Sequence, residues 1–304
     1  MVSLRVKLTT LIYASVFLTA VAIGGLGIAY LTKVTRQDSQ ALLNLICIAE
    51  KGQLDITMGN IKQTVDSMRD VIFNEVKDDV SLFASDAEFR DAVTHRFESM
   101  FYTIAYHTKG AITYYLRYDP NLIADGNQGF LWSKRNRSSS FSKLELTDMS
   151  QYDEDDAEHV GWYYIPAKNG KATWLKPYRN QNLGIYMISY VVPIYVQKQL
   201  IGVVGMDIDF SIFFDEINQL NIYKGGYAYV SDETHTVVYH KDYDSEEEQP
   251  LQGNAVETSR LELNNGWTLF VTAPKSEIAR ARNHLTALFV VLTLVIAGAF
   301  ILLA

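Results

Sequence analysis

Two charge-free apolar stretches, 9–31 and 285–304, bracket a chain whose interior switches between helical and strand-like spacing of hydrophobic residues. From 32 to 84 the period is helical. Leu54, Met58, Ile61, Val65, Met68 and Ile72 step by 4, 3, 4, 3 and 4, a heptad seam that predicts one long stem helix. At 1.5 Å rise per residue such a helix stands about 80 Å tall. Cys47 falls one heptad before Leu54 and reads as a small buried residue. Ser85-x-x-Glu88 has the form of a capping box. It predicts a second helix with Phe89, Val93, Phe97 and Ile104 on one face, ending near His107 before Lys109-Gly110.

The period then drops to two. Ala111–Tyr118 reads as a strand closed by Asp119-Pro120, with Gly129–Lys134 as its antiparallel partner. Residues 138–160 are mostly polar and carry Asp153-Glu154-Asp155-Asp156. The alternating oxygen ligands around a glycine that a calcium loop needs are missing there. A solvated acidic loop is expected over 152–158, placed where it could close as a lid. Three apolar runs follow, Trp162–Ile165, Ile185–Val196 and Leu200–Ile208, separated by Lys168-Asn169-Gly170 and Gln197-Lys198-Gln199. They predict antiparallel strands, and Asp209 or Ser211 then caps a short helix over 211–220. A smaller unit comes last, with strands over 226–230, 236–240, 261–263 and 267–272. Asn265-Gly266 gives its hairpin signal. Pro274 and Ser276-Glu277 start a helix that runs into the second apolar stretch.

Each apolar end is long enough to cross the roughly 30 Å hydrocarbon core of a bilayer. The first exceeds the usual apolar region of a cleaved signal peptide and runs on into a helix, so an uncleaved anchor is expected. Arg5 and Lys7 favour a cytoplasmic N-terminus; Lys33, Arg36, Arg280 and Arg282 weaken that orientation without reversing it. The expected layout is a cytoplasmic 1–8, a first span 9–31 and a stem helix 32–84. A membrane-distal module over 85–220 and a membrane-proximal module over 221–275 follow. A juxtamembrane helix 276–284 and a second span 285–304 complete it. This is a two-pass protein of the bacterial plasma membrane with 32–284 outside, and its fold class is α+β. The output signal would pass to a cytoplasmic signalling domain or protein.

Composition narrows the function classes. Apolar residues make up 48% of the 304 residues, which argues against disorder. A formal charge of -8 without a basic stripe argues against nucleic acid as a partner. The single Cys47 excludes an internal disulfide framework. There is no nucleophile elbow, zinc-binding His-Glu-x-x-His, P-loop or Cys-His pair, and the histidines are scattered. No enzyme activity, metal or cofactor is expected.

The residues between 161 and 210 carry a resemblance. Trp162-Tyr163, Pro177-Tyr178-x-Asn180, Gly184, Ser189, Pro193-Ile194 and Gly202-Val-Val-Gly-x-Asp207-Ile208 resemble the ligand-binding signature of double Cache sensor domains. Those are extracytoplasmic modules of bacterial chemoreceptors, sensor kinases and cyclic-di-GMP enzymes. The resemblance implies two PAS-like antiparallel-sheet modules packed along the long N-terminal helix. It also implies a pocket in the distal module, signalling by helix displacement, and a homodimer through the stem. By this resemblance Trp162, Tyr163, Tyr178, Asn180 and Asp207 would touch a ligand, with Trp174, Trp132 and Arg117 as further pocket candidates. In amino-acid-sensing members an arginine stands two residues before Trp-Tyr and an aspartate follows Pro-Tyr-x; here those positions are Val160 and Asn180. An amine or a neutral polar metabolite is therefore expected over a free amino acid. Such a cation would be held by Asp207 and aromatic faces. The bland alternatives are core aromatics at Trp162 and Trp174 and a helix cap at Asp207. The second function class is an ectodomain that docks a partner protein without its own small ligand.

Overall fold

The computed structural model describes residues 4–123, 128–136, 139–180, 185–213, 215, 222–240 and 255–303. The heptad seam and the first apolar stretch form one helix, α1 (Leu4–Val76). All six seam residues are buried. The helix stops at Val76, short of the expected 84. Lys77-Asp78-Asp79 supplies no seam residue, and the Asp79 carboxylate accepts from the Leu82 amide at 2.8 Å to cap a short α2 (Val80–Ser85). An aspartate serves better as an N-cap than inside a helix, because its oxygen satisfies an amide the helix leaves unpaired.

The next cap lies one residue later than the Ser85 box predicts. Ser85 Oγ donates back to the Ser81 carbonyl at 2.8 Å, so Asp86 caps α3 (Ala87–His107) by accepting from the Phe89 amide at 3.0 Å. The predicted end at His107 agrees with the structure.

The chain divides into two compact units. The first holds residues 52–217 and 263–265. Its strands are β1 (Ala111–Tyr118), β2 (Gly129–Lys134), β3 (Phe141–Leu144), β4 (Thr173–Trp174), β5 (Tyr178–Asn180), β6 (Ile185–Val196) and β7 (Gln199–Asp209). They form an antiparallel sheet in the order β3-β2-β1-β7-β6-β4, and β5 pairs further along β6. Gln197 and Lys198, both at positive φ, make the tight turn between β6 and β7.

One face of this sheet carries helices. Phe83 packs edge-on to Tyr118 at 5.1 Å, Phe101 meets Phe130 at 6.0 Å, and Trp132 Nε1 donates to Glu98 at 2.7 Å. The opposite face is covered by α4 (Gly161–Asn169). Here the sequence reading is corrected: Trp162–Ile165 is helical. A four-residue apolar run fits either period. The deciding spacing is that of Val160, Tyr163, Tyr164 and Ala167, three and four apart, which turns one apolar edge onto the core of Tyr115, Val191 and Val203. Gly170, left-handed at φ 64, ends the helix.

The second unit holds residues 1–51, 218–262 and 266–304. Its sheet runs β10-β11-β8-β9, built from β8 (Tyr227–Ser231), β9 (Val237–His240), β10 (Val256–Glu262) and β11 (Thr268–Pro274). Gly266 at φ 87 makes the expected turn between β10 and β11. Cys47 Sγ lies 3.8 Å from the Leu269 carbonyl, and burial pushes its thiol up to about 11, so it is an inert core residue. Two helices close the chain, α5 (Lys275–Ile278) and α6 (Arg280–Leu303). The Ala279 amide donates to the Lys275 carbonyl (2.9 Å) and the Asn283 amide to the Ala279 carbonyl (2.8 Å), carrying the backbone between them almost without a break.

The helix over Lys7–Val76 contains a segment long and apolar enough to cross a membrane, and Arg282–Val295 is a shorter apolar stretch. Within this unit Gly24 of α1 lies against Phe289 of α6, so close that any side chain at 24 would overlap the ring. Of the helix expected over 211–220, the described residues show only a turn, Phe210–Phe213; most of the remainder lies outside them.

Candidate functional site

The sheet face beneath α4 carries a polar row across four strands. Ser133 of β2 pairs with Thr113 of β1, Thr113 with Asp207 of β7, and Asp207 with Ser189 of β6. The side chains are joined in the same order. Ser133 Oγ and Thr113 Oγ1 are 3.1 Å apart, and Ser189 Oγ donates to Asp207 Oδ1 at 2.7 Å. Thr113 also hydrogen-bonds the Asp207 carboxyl. All four residues are buried. Burial raises the Asp207 carboxyl from 3.8 to about 6, the two hydroxyl bonds only partly opposing it.

Aromatic side chains frame this carboxyl. Tyr115 lies two residues along β1 on the same face, opposite Gly205. A Cβ at Gly205 would fall 2.5 Å from the Tyr115 ring, so glycine there is what lets the ring lie across the sheet. Trp162 of α4 meets Tyr115 edge-on at 5.0 Å. Tyr178 of β5 pairs with Met187, two residues from Ser189, and has a side-chain hydrogen bond with Ser189. The residue as a whole is 40% exposed. Its hydroxyl, beside Asp207, is nonetheless held well above the usual phenol range by burial first and by that carboxylate second. The Tyr115 hydroxyl is buried, its phenol pKa raised by burial and by Asp207, and it has no hydrogen-bond partner among the described residues. An unsatisfied buried hydroxyl costs about 1–3 kcal/mol, so it needs a reason.

The sequence-predicted residues fall into three groups. Asp207, Tyr178 and Trp162 come together around Tyr115. Tyr163 and Arg117 share that face at its other end, where the Tyr163 hydroxyl donates to Asp119 at 3.3 Å and the buried Arg117 lies among Tyr163, Asp148 and Tyr164. Trp132 and Trp174 stand on the opposite, helix-bearing face. Trp132 stacks on Tyr114 at 6.3 Å, and Trp174 packs on Tyr190 at 4.8 Å. Asn180 is opposite Ile185 in the β5–β6 register. Val160, two residues before Trp162, is a core residue with 0% exposure. Sequence reasoning did not single out Thr113, Tyr115 or Ser133. Strand parity held the signal: once Asp207 is paired with Thr113, the residues of β1 at 113, 115 and 117 must share its face.

Comparison with known proteins agrees with this architecture. Residues 68–215 match the model of the first PDC sensor domain of methyl-accepting chemotaxis protein-like proteins. No curated protein sequence matches the chain. Among solved structures, the extracellular domain of mmHK1S-Z3, described as a histidine kinase, superposes with TM-score 0.57 at 13% identity. That match covers 83% of this chain and 99% of the other. The corresponding domain of soHK1S-Z6 gives TM-score 0.58 at 14% identity, covering 83% and 99%. The sensory domain of the Campylobacter jejuni chemoreceptor Tlp3, with isoleucine bound, gives TM-score 0.54 at 13% identity, covering 81% and 96%.

Proposed function

We propose that this chain, whose sensor domain is of the PDC/Cache type, is the ligand-sensing ectodomain of a transmembrane receptor and binds a small polar metabolite at Asp207. The observation that carries the reading is a buried carboxyl held by Ser189 and Thr113, next to the buried hydroxyl of Tyr115, which has no hydrogen-bond partner among the described residues. A ligand ammonium or amide donor satisfies the carboxylate, and a ligand hydroxyl or carbonyl accepts from Tyr115. Trp162 and Tyr178 supply flat walls, whose faces favour a cation.

An amine or neutral polar ligand fits better than a free α-amino acid. The position two residues before Trp162 is a buried valine, and Arg117 sits four residues from Thr113 along β1. At about 3.4 Å per residue that is roughly 14 Å along the strand from the position opposite Asp207, and Arg117 lies among Tyr163, Asp148 and Tyr164 instead. The amino acid of the Campylobacter jejuni neighbour is the competing ligand class. Asn180 belongs to the same proposed site.

The receptor is membrane-anchored. Residues 9–31 of α1 serve as the first span and 285–304 as the second, a pairing supported by the close approach of Phe289 to Gly24. The stem of α1 is a homodimer contact, and the signal passes to a cytoplasmic domain or protein by helix displacement. Tyr115→Phe tests the ligand reading. Loss of one hydrogen bond to ligand lowers affinity by roughly 3–10-fold, while the unliganded protein gains stability because a buried orphan is removed. A variant that binds an amine or amide panel as wild type does, and gains no stability, would overturn the role of Tyr115. A protein-docking function without a small ligand predicts no saturable binding from that panel at all.

A further inference from the structure

A groove of about 600 Å³ lies between the stem helix and the end of α3, and none of its lining residues belongs to the Asp207 site. It falls within the size range of small-molecule sites. Its apolar lining residues are Ile61 and Ile104, its charged or titratable ones Lys109 and His107, and no carboxylate is among them. Asn60 and Gln63 add two amides.

The hydroxyls lining it have their hydrogens committed elsewhere. Thr57 Oγ1 donates to Gln53 O at 3.0 Å, Thr64 Oγ1 to Asn60 O at 2.8 Å and Ser67 Oγ to Gln63 O at 2.7 Å. Thr108 Oγ1 likewise donates to Ile104 O at 2.9 Å. Each therefore offers the cavity lone pairs only. The site wants a ligand rich in O–H donors, yet Lys109 disfavours a cation. A polyhydroxylated carboxylate satisfies both demands. Its hydroxyls donate to the helix hydroxyls, its acid group accepts from Lys109 and the amides, and its C–H face rests on Ile61 and Ile104.

We infer that the groove between α1 and the end of α3 is a second ligand site, for a small sugar acid. It is independent of Asp207 and acts directly on the stem helix. The test uses the full chain in lipid nanodiscs with D-glucuronate as probe and its neutral methyl glucoside as comparator. The expected result is saturable thermal stabilisation by D-glucuronate, at least tenfold weaker binding of the glucoside, and at least tenfold loss of D-glucuronate affinity in Lys109→Gln. Thr64→Val, which keeps the shape and removes an acceptor, loses several-fold. Absence of saturable binding by D-glucuronate overturns the inference, and so does equal affinity in wild type, Lys109→Gln and Thr64→Val.

Discussion

Ser189 and Tyr190 are neighbours on β6 and face opposite ways. Ser189 Oγ donates to the Asp207 carboxylate at 2.7 Å, while the Tyr190 hydroxyl reaches Asp66 of the stem helix at 3.4 Å. Lys62 lies over the Tyr190 ring and pairs with Asp66. One strand thus holds the candidate ligand carboxyl on one face and touches α1 on the other. If Asp207 takes a ligand as proposed, a shift of β6 would reach Asp66 of the stem helix directly through Tyr190. Tyr190→Phe keeps the ring and removes that contact. It should cost about 0.5–1.5 kcal/mol of stability and leave ligand affinity near wild type. The response of the stem, read as ligand-dependent amide exchange over residues 60–70, should fall. An unchanged stem response would remove Tyr190 from the path.

The raised carboxyl of Asp207 fixes a sign for pH dependence. Its folded value of about 6 lies above the unfolded 3.8, so the folded state prefers the protonated form. Its contribution is fully favourable below about pH 4 and is lost as pH rises towards 6. Two units correspond to roughly 3 kcal/mol. Asp207→Asn should remove this slope and make the unliganded protein more stable than wild type at neutral pH. Denaturant titrations at pH 4.5 and 7.5 read the difference, and an Asp207→Asn protein less stable at pH 7.5 would contradict it.

Gly205 carries a packing prediction. Its Cβ would meet the Tyr115 ring at 2.5 Å, and a buried ring across a sheet has no free space to retreat into. Gly205→Ala should destabilise by about 1–3 kcal/mol and weaken ligand binding through displaced Tyr115. Full stability with full affinity in this variant would show that the ring is free to move.

The start of α3 separates two caps. Asp86→Ala should cost about 1 kcal/mol because the Phe89 amide loses its partner. Ser85→Ala should cost only a few tenths, since its hydroxyl bonds Ser81 within α2. Equal losses from the two substitutions would restore the Ser85 capping box.

Much of the seven-stranded sheet was legible in the sequence because its strands are long and bounded. Ala111–Tyr118, Gly129–Lys134 and Ile185–Val196 fall where period and turn residues place them. The seam of α1 was legible for the same reason: six apolar positions repeat without a competing period. Short runs were not. Trp162–Ile165 is too brief to distinguish a period of two from one of 3.6, and only its contacts with Val160 and Ala167 decide it. Phe141–Leu144 was hidden in a polar stretch because an edge strand buries little; here Phe141 is buried while Lys143 and Leu144 are exposed. The site was half legible. Asp207, Trp162 and Tyr178 stand in the stretch that resembles the double Cache signature. The Tyr115 and Thr113 side chains belong to the site through register, which no single stretch of sequence states. Trp132 and Trp174 look like pocket walls in sequence because aromaticity does not reveal which face of a sheet a residue takes.

The central claim is that Asp207 holds a small ligand. Isothermal titration of the full chain with small amines, amides and free amino acids, in parallel with Asp207→Asn, tests it most directly. The account predicts saturable binding of an amine or amide that Asp207→Asn loses by tenfold or more, with free amino acids weaker. The same ligand at a hundred times its Kd should stabilise the wild type by about 2.7 kcal/mol. Binding that survives Asp207→Asn undiminished, or an amino acid that binds tightest of the panel, would contradict it.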